Sequence, residues 1–245
     1  MLKKPQYKVY KPPEYDREES YYPVLYLFHG RGDNERTWLE KGKVKSIADE
    51  LISNGTISPV VIVMPYGFMN SEDQDLKAGR YRYPEPSEWR NRIVNQVIPD
   101  IKRNYRILAG REHHAIAGVS MGSEQALDLV FSDLSLFSRL GCFSPAFPRQ
   151  RFQKSEIPER WPELVSYKEG PQLQLCQVSW ATGEGDIIKQ QYQPLLDELT
   201  QRSVCVTHSK FEGEHNWNPP NPWGKCIREF LLKSHALPQS ENEEV

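Results

Sequence analysis

The chain is defined first by what it lacks. No pair of its four cysteines (Cys142, Cys176, Cys205, Cys226) is close enough for a C-x-x-C motif, so neither a zinc ribbon nor a thioredoxin-like redox site is written in it. That usage predicts reduced, mostly buried thiols in a cytoplasmic protein. Six histidines occur without an H-E-x-x-H spacing, which disfavours a zinc hydrolase. No metal and no cofactor is expected. No apolar run approaches the roughly 20 residues of a membrane span, and no apolar stretch follows Lys3 and Lys4, so neither membrane insertion nor a signal peptide is predicted. A net charge of −2 gives no general attraction to nucleic acid or to anionic membranes. Internal repeats and glycine-rich linkers are absent. The 245 residues therefore fit one large domain, expected over 1–238, followed by a flexible acidic tail over 239–245.

What is present is an alternation. Nearly continuous apolar runs at 24–28 and 60–64 read as strands buried on both faces, 114–119 and 140–143 read as a third and fourth strand, and 173–181 and 204–211 supply the last two. Between them, 43–53, 88–104, 123–131, 188–202 and 223–233 carry apolar residues at helical spacing. In 88–104, Trp89, Ile93, Val97 and Ile101 form one core-facing stripe, and Pro99 should kink it. This pattern predicts an α/β fold with a mostly parallel sheet covered by helices. Two polar, proline-rich segments, 68–87 and 145–171, each follow a strand and lie at the carboxyl edge of the sheet, where a lid or pocket wall is expected.

Gly118-Val119-Ser120-Met121-Gly122 places a serine between two glycines at a strand-to-helix junction, the pattern of a nucleophile elbow. A serine hydroxyl is protonated at neutral pH, so it needs a base, and the base needs an orienting carboxylate. In folds with this elbow the acid and then the histidine follow the serine, each just after a later strand. His215, in the loop after the last strand, meets that order. His29, His113 and His114 precede the elbow, His208 lies within a strand, and His235 follows the last helix. Asp186, after the penultimate strand in Gly183-Glu184-Gly185-Asp186, is the expected acid, with Glu184 as its alternative; Asp197 and Glu198 read as helix-surface residues. Backbone N–H groups of Met121 and of Arg31, in His29-Gly30-Arg31-Gly32, would form an oxyanion hole. An aromatic and cationic substrate pocket is expected from Arg80, Tyr81, Arg82, Tyr83, Trp217 and Trp223, with His29 as a further substrate contact.

Six segments resemble the putative-esterase (esterase D-like) family of α/β-hydrolases: Val9 to Asp16, Tyr22 to Gly30, Val97 to Ile101 with Tyr105-Arg106, Ala117 to Gly122, Gly183 to Asp186, and Gly213 to Trp217. The family includes feruloyl, acetyl-xylan and enterochelin esterases, S-formylglutathione hydrolase and mycolyltransferases. The resemblance implies a Ser-Asp-His hydrolase of small acyl or aromatic-acyl esters, with Ser120, Asp186 and His215 as the triad and Arg31 and Met121 as oxyanion donors. The chain departs from the family with Ser123 and with Gly32-Asp33, where relatives often have glycine and a glycine pair. Its N-terminal strand should be short or missing. The expected partner is a small-molecule ester. An acyltransferase using the same triad is the alternative, and a silent scaffold or a peptidase would be other uses of the fold.

Overall fold

The computed structural model describes residues 5–70, 73–75, 79–147, 154–167, 173–181 and 189–237. The strands are β1 (Tyr7–Tyr10), β2 (Val24–Phe28), β3 (Val61–Pro65), β4 (Gln74–Asp75), β5 (Arg80–Tyr81), β6 (His114–Val119), β7 (Arg139–Phe143), β8 (Leu175–Ala181) and β9 (Val206–Phe211). Seven of them form one sheet in the order β1-β3-β2-β6-β7-β8-β9, while β4 and β5 make a separate antiparallel pair. β1 is antiparallel to β3, and every other pairing in the large sheet is parallel. The N-terminal strand is thus present but only four residues long.

The helices are α1 (Thr37–Glu40), α2 (Val44–Ser53), α3 (Pro86–Arg92), α4 (Ile98–Asn104), α5 (Met121–Val130), α6 (Ile157–Arg160), α7 (Pro162–Val165), α8 (Lys189–Gln201) and α9 (Pro222–Ser234). Both faces of the sheet are covered. Val24, Tyr26 and Phe28 of β2 point into a core shared with Trp89, Ile93, Val97 and Ile101 and with Leu127 and Val130 of α5. Leu25 and Leu27 point the other way, into a core with Val44, Ala48 and Leu51 of α2 and Cys226, Ile227 and Phe230 of α9. The two-residue side-chain period of a strand therefore requires β2 to be apolar throughout. No helix among the described residues is long and apolar enough to cross a membrane.

The helix expected over 88–104 changes its hydrogen-bonding pattern just before Pro99. A π-turn over Ile93–Val97 separates α3 from α4, and the Ile98 N–H donates to the Ile93 carbonyl. The π-turn directly precedes Pro99, which has no N–H to give and stands in the first turn of α4. The expected tail and the 182–188 segment lie outside the described residues. All four cysteines are free thiols; Cys142, Cys176 and Cys226 are buried and Cys205 is exposed.

The chain runs from β2 outward to β3 and then crosses back to β6 on the opposite side of β2. The strand order therefore reverses between β2 and β6. A crevice opens at the carboxyl ends of strands at such a point, and those ends carry His29-Gly30 and Ser120.

Candidate active site

Ser120 joins β6 to α5 with φ 57° and ψ −120°, a conformation that L-residues rarely adopt. The surrounding backbone enforces it. A Cβ on Gly118 would lie 2.2 Å from the Gly122 carbonyl oxygen, and one on Gly122 would lie 2.6 Å from that of His29 and 2.7 Å from that of Phe28. The Ser120 N–H donates to the Phe143 carbonyl at 2.9 Å, which ties the turn to β7. Ser123 adds a second tie. Its hydroxyl accepts from the Phe143 N–H at 3.0 Å and lies 2.7 Å from the Gly118 carbonyl it can donate to. The family departure at this position is thus a buried cross-link between the turn, α5 and β7.

Gly30 packs directly on the serine, since a Cβ there would lie 3.4 Å from Ser120 Cβ. A turn follows in which the Asp33 N–H donates to the Gly30 carbonyl at 3.3 Å, and Gly32, its third residue, takes φ +80°. A type II turn needs glycine at that place. The Gly30 carbonyl also lies 2.8 Å from His29 Nδ1. The Arg31 N–H makes no hydrogen bond among the described residues, and the Met121 N–H begins α5, where helix geometry leaves it unpaired.

His215 leaves β9 on the loop that precedes α9 and sets its ring edge-on to Trp223, with centroids 5.1 Å apart. Ser120, His215, Gly30, Arg31, Asp33 and Trp217 line one cleft of about 270 Å³. Two residues further on, the Trp217 indole N–H donates to Asp33 Oδ2 at 3.0 Å, and the ring packs edge-on to Trp38 at 5.0 Å. Lys41 Nζ lies 3.1 Å from Asp33 Oδ1. Asp33 is 9% exposed, so this buried carboxylate clamps the histidine loop to the turn after β2.

Asp186 and Glu184 lie outside the described residues. The strand before them, β8, pairs with β7 on one side and with β9 on the other. Asp197 is hydrogen-bonded to Gln193, while Glu198 is buried between Arg202 and Lys154.

The expected substrate wall is only partly assembled. Arg80 pairs with Asp75 at 2.8 Å and Arg82 faces Asp73 at 3.6 Å; both guanidinium groups are exposed, and neither arginine is among the residues that line the serine cleft. Tyr81 does approach it. Its ring stacks on Phe68 and Tyr83, and the Arg31 guanidinium lies over it at 5.3 Å. Together with Tyr66, these aromatics pack on the Met121 side chain. Trp223 is buried beneath His215. His29, expected to touch substrate, is 1% exposed and both its ring nitrogens face backbone groups. Sequence reasoning passed over Asp33 and Lys41, whose only local signal was the departure at Gly32-Asp33.

The family model described as "Putative esterase" matches residues 1–229. Over 140 residues the chain is 34% identical to an endo-1,4-beta-xylanase/feruloyl esterase of Xylanibacter ruminicola, a match covering 56% of this chain and 19% of that protein. It is 34% identical over 130 residues to an esterase of Mycobacterium tuberculosis, covering 50% of this chain and 25% of the other. The matches thus span a quarter or less of the length of these relatives. A ferulic acid esterase of Anaeromyces mucronatus superposes with a TM-score of 0.72 at 22% identity, over 93% of this chain and 84% of that one. An S-formylglutathione hydrolase of Staphylococcus aureus superposes with a TM-score of 0.66 at 15% identity, over 94% and 92%. The fold shared with them is that of the α/β-hydrolases.

Proposed function

Since the chain belongs to the esterase family described as "Putative esterase", we propose that it is a serine carboxylic-ester hydrolase that works through an acyl-enzyme. The observation that carries this reading is Ser120, held at φ 57° on its turn while His215 lines the same cleft. A left-handed serine between two glycines without room for a side chain has a steric cost, and such strain gathers at reactive positions.

In this mechanism Ser120 Oγ attacks the ester carbonyl carbon as His215 takes the hydroxyl proton. Asp186 orients the imidazole and stabilises its charged form. The N–H groups of Arg31 and Met121 bind the oxygen as it becomes negative. Collapse of the tetrahedral intermediate breaks the C–O bond, and His215 gives its proton to the departing alcohol. Water, deprotonated by His215, then attacks the acyl-enzyme and releases the acid with regeneration of Ser120. The Phe68, Tyr81 and Tyr83 rings beside Met121 favour a flat aromatic acyl group, and two of the relatives named above are feruloyl or ferulic acid esterases.

The test is hydrolysis of p-nitrophenyl acetate and methyl ferulate, together with labelling by a fluorophosphonate, for wild type and Ser120→Ala. We expect both to be lost in the variant, with kcat falling on the order of 10⁶-fold. A loss below tenfold would remove Ser120 from the mechanism.

A further inference from the structure

We propose that a buried hydrogen-bonded chain, Gly30–His29–Gly67–Gln125, sets the separation of the two oxyanion donors, with His29 and Gln125 as positioning residues. The inference rests on the Ser120 reading above.

His29 lies between two backbone groups whose roles are fixed. The Gly67 N–H can only donate, and it lies 2.8 Å from Nε2; the Gly30 carbonyl can only accept, and it lies 2.8 Å from Nδ1. The ring is therefore neutral and protonated on Nδ1. Burial, which opposes charging, holds its pKa below the ordinary histidine value.

The bond from Nδ1 reaches the peptide unit that matters. In a trans peptide the carbonyl of one residue and the N–H of the next point in opposite directions. Pinning the Gly30 oxygen from the His29 side therefore aims the Arg31 N–H away from it, and Gly30 itself lies against Ser120. The same oxygen takes the Asp33 N–H, so the peptide is held by two donors.

The bond at Nε2 leads to the second donor. The Gly67 carbonyl accepts from Gln125 Nε2 at 2.8 Å. Gln125 stands one helical turn after Met121 on α5. A Cβ on Gly67 would lie 3.0 Å from both the His29 ring and Met121 Cε, so these three groups are packed without slack. Two loops and a helix that are remote in sequence are thus joined by three buried hydrogen bonds running from one donor's peptide to the other donor's helix.

The test uses His29→Ala, His29→Gln, Gln125→Leu and the double variant His29→Ala/Gln125→Leu. For each, kcat, KM and inhibition by an aryl trifluoromethyl ketone are measured, with Ser120→Ala as the reference for the serine mechanism. The ketone forms an oxyanion on the serine and so reports the hole directly. Outright loss of a donor typically costs 10²- to 10³-fold in kcat, and a misaimed donor should cost roughly tenfold to a hundredfold. We expect that loss in each Ala or Leu variant with KM within about twofold, parallel weakening of the ketone, and partial recovery in His29→Gln. The double variant should lose little more than the worse single one, because both cuts open the same chain.

Losses that multiply in the double variant, or inhibition by the ketone that stays at wild-type strength, would overturn the proposal. If the substitutions prevent folding, ¹⁵N spectra of the wild-type imidazoles decide. A buried, neutral histidine that is protonated on Nδ1 is expected, and the Nε2-protonated form at His29 overturns the chain. Failure of the serine reading is separable, since it would appear as turnover retained in Ser120→Ala.

Discussion

At the scale of single residues, the strain at Ser120 can be measured apart from its chemistry. A residue in a sparsely populated region costs about 1–3 kcal/mol, and glycine escapes that cost while adding about 0.5–1 kcal/mol of unfolded-state entropy. Ser120→Gly should therefore be about 1 kcal/mol more stable than Ser120→Ala and melt roughly 2–4 °C higher, though both are inactive. Equal or reversed melting temperatures would mean that the turn carries no strain. A second residue-level prediction concerns charge. Arg82 is exposed and faces Asp73, whereas Arg31 lines the cleft over Tyr81. Preference for an anionic over a neutral p-nitrophenyl ester should fall in Arg31→Gln and persist in Arg82→Ala; the opposite result would place recognition on the β4–β5 pair. These contrasts also mark what the sequence could tell. Ser120 was legible because its turn dictates glycines two residues to either side. His29 and Asp33 were misread or passed over because their roles come from partners 38 and 184 residues away, Gly67 and Trp217.

At the scale of elements, the alternation of strands and helices was readable because a strand buried on both faces has to be apolar throughout. Observed boundaries of β2 and β6 coincide with expectation, and those of β3 and β7 differ by a residue. The short pieces were not legible. The β4–β5 pair and α6–α7 are too brief to show a period, and they exist through tertiary contacts. Residues 154–167 illustrate this. Arg160 reaches both Glu124 and Asp128 of α5, and the Trp161 indole N–H donates to Asp128 at 2.7 Å. Both carboxylates are buried in the helix that starts at Met121, so removing the guanidinium would take away the one cation that they share. Arg160→Ala should cost about 3–5 kcal/mol in urea unfolding, the scale found for breaking a buried pair from one side. A loss under about 1 kcal/mol would mean that water reaches the cluster and screens it.

At the scale of the whole molecule, the buried histidines make stability depend on pH in a direction that can be worked out. His29, His114 and His235 all have pKa values held below the ordinary 6.5 by burial, and that of His235 falls to about 3. The unfolded chain takes up these protons near pH 6.5, whereas the folded chain resists them. Their contribution is therefore intact above pH 6.5 and is lost as the pH falls towards the folded values. Glu50 and Glu198 have lowered pKa values, so their effect has the same sign but begins only as the pH falls into the ordinary carboxylate range. The window between pH 6.5 and 5 thus isolates the histidines. With about 1.36 kcal/mol per pH unit, His235 alone should remove roughly 2 kcal/mol across it. The urea midpoint of the wild type should drop steadily over this range, and His235→Gln should flatten the slope by about one proton. His235 sits at the end of α9 with its carbonyl accepting from the Ser58 N–H and its Nδ1 beside the Ser234 hydroxyl, and it is not among the residues that line the candidate site. A midpoint that stays level from pH 6.5 to 5 would show that these rings are hydrated, and it would weaken the neutral assignment on which the His29 chain depends.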